Sequence, residues 1–254
     1  MKQIARPFHL LYCMYAYLLF LLFLVIGFVY ALPLSFLAGP KAHTAIFAYY
    51  KAWAHCWFFL TGIRMEAEGK EYLRQAAPCI IAGNHSTNVD LMNAVYMLPL
   101  KTKALAKAEI RKIPVMGYLF GVVSVFVDRK NKESREKSIR ALRKRLDEGF
   151  SIFIYPEGTR NRTARPLNDF YDGAFRIAIE TQRDVLPVCV INGRGIWPPR
   201  SLWMKPGKMK AIYLAPHSTK GMTEADVPAL KSEVFHAMEQ CILANDPLFT
   251  RHSP

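Results

Sequence analysis

From Pro7 to Pro40 the chain has no Asp, Glu, Lys or Arg, a gap of 34 residues in a protein of 254. A bilayer core needs only about 20 apolar residues in a helix. The apolar core of a cleaved leader is shorter, about 7–15 residues, and ends at a small-residue cleavage site. Phe8–Phe36 is too long and too aromatic for that, which argues against removal of this segment. Acidic residues are scarce throughout, 20 against 34 Lys and Arg, for a net charge of +14. Cysteines are few: Cys13, Cys56, Cys79, Cys189 and Cys241 are scattered, odd in number and without CxxC. No zinc site or disulfide framework is visible in that spacing, which fits reduced thiols and hence a body expected to face the cytoplasm. No GxSxG elbow, internal repeat or low-complexity segment is present.

The apolar gap reads as one long helix over Phe8–Leu37, bent near Gly27 or Pro33. A second apolar stretch at Ile46–Leu60 carries Tyr49, Tyr50, Trp53, Trp57, Phe58 and Phe59, interrupted by Lys51 and His55. Tyr and Trp favour the headgroup level, so Thr44–Leu60 is expected to lie as a helix at the interface. Basic residues flank both ends: Lys2 and Arg6 before, Lys41, Lys51, Arg64 and Lys70 after. The charge bias therefore leaves a single span and a two-helix hairpin both open. Residues 1–62 are read as membrane-anchoring helices and residues 63–254 as a separate domain. A basic body on an apolar anchor points to an anionic membrane surface, with nucleic acid as the competing partner.

Beyond residue 63, short apolar runs alternate with longer periodic stretches. Expected strands are Arg64–Glu68, Cys79–Ala82, Ala104–Lys107, Val122–Val127, Ile152–Tyr155, Val185–Ile191 and Lys210–Leu214. Expected helices are Asn88–Leu98, Ile113–Leu119, Lys132–Glu148, Gly173–Glu180 and Glu224–Leu243. This order specifies an α/β fold, a mostly parallel central sheet flanked by helices, preceded by the membrane-associated two-helix segment. The charge-dense stretch Lys130–Arg145 carries Ile139, Leu142 and Leu146 at helical spacing, a solvated face with an apolar stripe.

Two segments hold chemistry-bearing residues. Gly83-Asn84-His85-Ser86-Thr87-Asn88-Val89-Asp90 follows a buried-looking strand and precedes a helix. His85 and Asp90 can meet only if His85 lies in the turn, with Ser86 or Thr87 as N-cap. A histidine oriented by a carboxylate is a sound general base, although a capping-box variant explains the same residues without chemistry. The second segment is the strand Ile152–Tyr155 with the turn Pro156-Glu157-Gly158-Thr159-Arg160. It offers backbone amides and a guanidinium suited to phosphate. Lys107 and Arg129 close two other strands. Ligands of open α/β sheets gather at the carboxyl ends of strands, where His85, Lys107, Arg129 and Arg160 would all sit.

Asn84-His85 with Asp90, Phe126-Val127-Asp128-Arg129, Pro156-Glu157-Gly158-Thr159-Arg160 and Leu186-Pro187-Val188 resemble the four ordered blocks of the glycerolipid acyltransferase family, whose best-known members are the 1-acylglycerol-3-phosphate acyltransferases. The resemblance spans residues 60–220. It extends to Gly173-Ala174-Phe175 after Phe170 and to Lys107 with Glu109, Pro114 and Gly117. HxxxxD alone is a weak signal; followed by PEGTR it is a strong one. The chain departs from the family pattern at Thr87, where Ser is usual, at Tyr155, where Phe is usual, and at Tyr171-Asp172, where a Lys is common.

The resemblance implies acyl transfer from acyl-CoA or acyl carrier protein to the free hydroxyl of lysophosphatidic acid. It assigns His85 as base and Asp90 as its orienter. Lys107, Arg129 and Arg160 would hold the acceptor phosphate, and amides of the Glu157, Gly158 and Thr159 turn the developing oxyanion. No metal or tightly bound cofactor is implied, and the thioester is a co-substrate. The alternative acceptor is a lyso-aminolipid. A hydrolase and a membrane-tethered nucleic-acid binder are the rival classes, and the second gives the His–Asp pair no role.

Overall fold

The computed structural model describes residues 5–36, 40–113, 116–128 and 132–250. In chain order the elements are α1 (Ala5–Phe36), α2 (Pro40–Leu60), β1 (Ile63–Glu68), α3 (Lys70–Ala76), β2 (Ile80–Gly83), α4 (Asp90–Met97) and β3 (Thr102–Lys107). After a short 3-10 turn at Ala108–Lys112 come α5 (Met116–Val123), β4 (Ser124–Val127), α6 (Lys132–Asp147), β5 (Ser151–Ile154) and α7 (Gly173–Thr181). The chain continues with β6 (Val185–Ile191), α8 (Gly193–Ile196), β7 (Gly207–Tyr213), α9 (Val227–Asn245) and α10 (Pro247–Thr250).

The seven strands form one sheet in the order β1-β7-β6-β2-β5-β3-β4. From β6 to β4 all neighbours are parallel, while β7 runs antiparallel to β6 and carries β1 parallel to itself. The mostly parallel sheet expected from the sequence is thus present, with a reversed pair at one edge. The central strands β2, β5 and β6 are buried along their whole length, as their unbroken apolar sequences require of strands covered on both faces. Alternate residues serve opposite faces. Ile80, Ala82, Ile152 and Ile154 pack against α6, α7 and α9, through Leu146, Phe175 and Val234 among others. Ile81, Phe153 and Val188 pack against α4 through Ala94 and Met97. In α6 the apolar stripe works as its spacing suggests: Leu142 and Leu146 are buried, and Lys137 and Arg140 stay exposed.

α1 and α2 cover the α4 side. Cys13, Ala16 and Ala31 lie buried on one face of α1, and Gly27 lets the Tyr49 ring approach to where a Cβ would stand at 2.8 Å. The opposite face exposes Phe8, Leu11, Tyr15, Leu18, Leu22, Val25 and Val29 at three- and four-residue spacing. Both ends of α1 touch the body. His9 Nε2 lies 2.7 Å from the Met204 carbonyl, and Tyr118 donates to the carbonyls of Ala31 and Leu32 at 3.2 Å. These contacts are 23 residues apart, about 35 Å of helix. α1 therefore lies along the body rather than projecting from it. Among the described residues it is the one helix long and apolar enough to cross a membrane, over Pro7–Leu34.

α2 differs from the interfacial helix expected of it. Ile46, Trp57 and Phe58 are almost wholly buried, Phe47 belongs to the core beneath the sheet, and Phe59 is its most exposed large side chain. Lys51 Nζ donates to the carbonyls of Tyr96 and Leu98, both at 2.7 Å, closing the C-terminal end of α4. No break in packing falls at residue 62. The reason is chemical: Trp57 Nε1 donates to the Ala16 carbonyl at 3.0 Å and Tyr49 to the Phe23 carbonyl at 2.7 Å, so these aromatics have partners inside the protein.

Candidate active site

The site is built from loops at the carboxyl ends of adjacent strands. β2 must end on a small residue, because a Cβ on Gly83 would stand 2.8 Å from the Phe153 ring. Asn84 then continues the sheet with its side chain. Its amide donates to the Val190 carbonyl at 3.0 Å and accepts from the Val190 N–H at 2.7 Å, as a peptide unit would. This holds the next residue, His85, clear of the ladder and in the turn.

His85 Nδ1 lies 2.6 Å from Asp90 Oδ2. The same oxygen accepts the backbone N–H groups of Ser86 at 2.8 Å and Thr87 at 2.9 Å. Asp90 is the first residue of α4 and only 2% exposed, whereas the imidazole is 21% exposed. With the carboxylate accepting, Nδ1 carries the proton and Nε2 is left as the basic nitrogen. Neither Ser86 nor Thr87 caps α4, contrary to the sequence-based expectation; Val89 precedes the helix without a side-chain cap. Thr87 Oγ1 instead donates to the carbonyls of Gly193 at 3.0 Å and Trp197 at 2.6 Å.

The loop after β5 clamps the histidine. Glu157 Oε1 accepts from the His85 N–H at 2.7 Å and Oε2 from the Asn168 N–H at 2.8 Å, and Asn161 N–H donates to the His85 carbonyl at 2.6 Å. Glu157 is 1% exposed and turned inward, a strut between the two loops. Burial pushes its carboxyl up from 4.5 to about 7 against the pull of those two amides. A raised carboxyl favours the fold most below its ordinary value, and that contribution is lost as pH rises through about 7. The melting temperature of Glu157→Gln is therefore expected to fall less between pH 5 and 8 than that of the parent; equal slopes would contradict this placement of the charge.

Tyr155 lies flat against His85, ring centroids 4.2 Å apart and planes 16° apart, and its hydroxyl donates to the Asp90 carbonyl at 3.0 Å. Burial raises its phenol well above the usual value, so it stays a neutral donor. Tyr155→Leu removes a stacking contact worth about 0.5–1.5 kcal/mol, so kcat is expected to fall by up to about tenfold. Tyr155→Phe keeps the stack and should stay within about threefold of the parent. A larger loss for Phe than for Leu in steady-state assays would contradict a stacking role.

Arg160 Nη1 donates to Asn88 Oδ1 at 2.5 Å, which brings the guanidinium over the loop that carries His85. Gly158 sits in the left-handed region at φ 67, and its N–H closes the turn on the Tyr155 carbonyl at 3.0 Å. Pro156 has no N–H, and Gly158 spends its own on closing the turn. Thr159 is exposed. Lys107 is exposed at the end of β3, which lies beyond β5 from β2, about 10 Å away by strand spacing. Arg129 and Pro114 lie outside the described residues.

Three neighbours of the site were not singled out from the sequence. Asn88 and Tyr155 lay inside the two motifs but had no assigned task. Arg194 on α8 donates to the Thr163 carbonyl at 2.7 Å and bears electrostatically on Glu157 and Asp90. Among the described residues no group of three or more His, Cys, Asp or Glu is placed to hold a metal.

A family model described as Acyltransferase matches residues 64–191, from β1 to the end of β6 and across both loops. The chain belongs to the acyltransferase family. This acyltransferase is 30% identical over 187 residues to human 1-acyl-sn-glycerol-3-phosphate acyltransferase beta, covering 73% of this chain and 67% of that one. It is 32% identical over 190 residues to the 1-acyl-sn-glycerol-3-phosphate acyltransferase of Haemophilus influenzae, covering 74% and 78%. The mouse alpha enzyme is 29% identical, and the acyltransferase spans 64% of its length. Its fold is also that of the crystal structure of the 1-acyl-sn-glycerophosphate (LPA) acyltransferase from Thermotoga maritima, with a TM-score of 0.77, 23% identity and coverage of 95% and 96%. That coverage includes α1 and α2, so the helical layer is shared between the two structures.

Proposed function

We propose that the protein transfers a fatty acyl group from an acyl thioester to the free hydroxyl of lysophosphatidic acid, forming phosphatidic acid. The observation that carries the reaction is the 2.6 Å His85–Asp90 contact at the carboxyl end of β2, beside the Arg160 loop. The acceptor follows from what the similar enzymes act on by name. His85 Nε2 takes the hydroxyl proton as the oxygen attacks the thioester carbonyl, and Asp90 stabilises the imidazolium. The new C–O bond forms, the C–S bond breaks, and His85 returns its proton to the departing thiolate. A thioester is already activated, so no acyl-enzyme, metal or bound cofactor enters. Acyl-CoA and acyl carrier protein both fit as donor, and nucleic acid has no part.

The acceptor reaches the site from a membrane. The apolar stripe of α1 lies next to the exposed Leu202 and Trp203, on the loop whose Pro198 and Ser201 carbonyls hold Asn88. Because both ends of α1 are held to the body, that stripe enters the bilayer side-on. The five cysteines are all free, which supports a body in the reducing cytoplasm. Arg160, Lys107 and Arg129 are assigned to the acceptor phosphate.

Arg160→Ala and Lys107→Ala test this assignment. Each charge-assisted contact is worth about 1.5–3 kcal/mol, so kcat/KM for lysophosphatidic acid is expected to fall about 10–150-fold, with the donor KM little changed. Equal activity of the parent on a phosphate-free lysolipid would overturn the assignment and favour the lyso-aminolipid acceptor.

A further inference from the structure

We infer that Asn88 is the positioning residue for the acceptor's phosphate ligand, holding the Arg160 guanidinium in place without cancelling its charge. The inference rests on the proposed role of Arg160. Asn88 is the fourth residue of the H-x-x-x-x-D block, between His85 and Asp90, and is half-buried. Its carboxamide has no freedom left. Nδ2 donates to the carbonyls of Pro198 and Ser201, both at 3.1 Å. A flipped amide would set its oxygen against those two carbonyls, so Oδ1 is forced to face the other way, where it accepts from Arg160 Nη1. Arg160 Nε is buried without a partner, so among its described contacts the guanidinium is oriented by Asn88.

The residue type matters as much as the contact. Asp at this position would also accept from Arg160, and more strongly, but as an anion it would offset the charge a phosphate must find there. An amide is a neutral acceptor: it fixes the fork and leaves the full positive charge for the ligand. The other end of the relay is the helical layer. Tyr17 donates to the Leu202 carbonyl at 2.8 Å, and the His9 and Trp203 rings pack 5.1 Å apart. The loop that sets the Asn88 amide is therefore fastened to α1, next to the face assigned to the membrane.

Asn88→Ala and Asn88→Asp separate this role from a merely structural one. Both lose the donations to Pro198 and Ser201, and Asp also turns an anionic oxygen toward those two carbonyls, so the melting temperatures of both variants are compared with the parent's. Beyond that disturbance the two differ at Arg160, since Ala frees the guanidinium and Asp neutralises it. With acyl-CoA and lysophosphatidic acid in detergent micelles, Asn88→Ala is expected to raise the acceptor KM about tenfold and Asn88→Asp about tenfold further, with the donor KM within about twofold. In an Arg160→Ala background, Asn88→Ala should add nothing. An Asp variant equal to or better than the Ala variant, or an Asn88→Ala loss that is undiminished in the Arg160→Ala background, overturns the inference. If Arg160→Ala itself leaves the acceptor KM unchanged, the phosphate assignment fails first and the inference falls with it.

Discussion

His85→Ala is expected to lower kcat by about 10²–10⁴-fold with little change in melting temperature. The histidine is held by its backbone, through Glu157 and Asn161, so removing the imidazole leaves both loops tethered. Asp90→Asn should cost a comparable factor, because the carboxylate both fixes the tautomer with Nε2 free and stabilises the imidazolium. Asp90 also gathers the Ser86 and Thr87 amides, so its substitution should lower the melting temperature as well, where His85→Ala should not. Measuring turnover and melting together distinguishes the two roles. A His85→Ala protein that keeps most of its activity would remove the base from the mechanism.

The second large effect is on folding. Residues 63–254 by themselves are expected to show no cooperative thermal transition. Deleting residues 1–62 removes Ile46, Trp57 and Phe58 from the core and uncaps α4 by taking Lys51 away. Loss of one buried aromatic costs about 3–5 kcal/mol, and a whole domain has only about 5–15 kcal/mol to lose. Deleting residues 1–36 is milder. It leaves α2 in place and exposes the face that Cys13, Ala16 and Ala31 covered. That shorter deletion should melt cooperatively at a lower temperature and keep partial activity on acceptor in detergent, while losing activity on acceptor in bilayers. Circular dichroism on the two deletions checks this, and a cooperative transition near the parent's for residues 63–254 would contradict it.

The burial of α2 differs from the interfacial helix the sequence suggests, and the reason lies in its aromatics. A Trp at a membrane surface and a Trp in a core both need one apolar side and one satisfied N–H. Composition cannot tell a water partner from the Ala16 carbonyl that Trp57 finds. The sheet was more legible. β6 has the expected bounds, Val185–Ile191, because a seven-residue buried strand is a continuous apolar run. The direction of β7 was not legible, since a long connection permits either sense; here it holds α8 and a proline-rich loop in place of a crossover helix. The short α3, Lys70–Ala76, buries no residue and so leaves no periodic signature. Within the site, spacing allowed His85 to meet Asp90 only if His85 lay in the turn, and the resemblance to the family's motif carried the pairing that the structure shows. The work of Asn88 did not, because its Pro198 and Ser201 partners are backbone carbonyls far along the chain, which carry no mark in the sequence.

The central claim is the reaction itself, and one measurement addresses it directly. Purified protein would be incubated with labelled acyl-CoA and lysophosphatidic acid, in parallel with a monoacylglycerol of the same chain length, and the lipid products separated. The expected result is labelled phosphatidic acid, formed in preference to acylated monoacylglycerol and abolished by His85→Ala. Release of labelled free fatty acid as the main product, or equal use of the two acceptors, would contradict it.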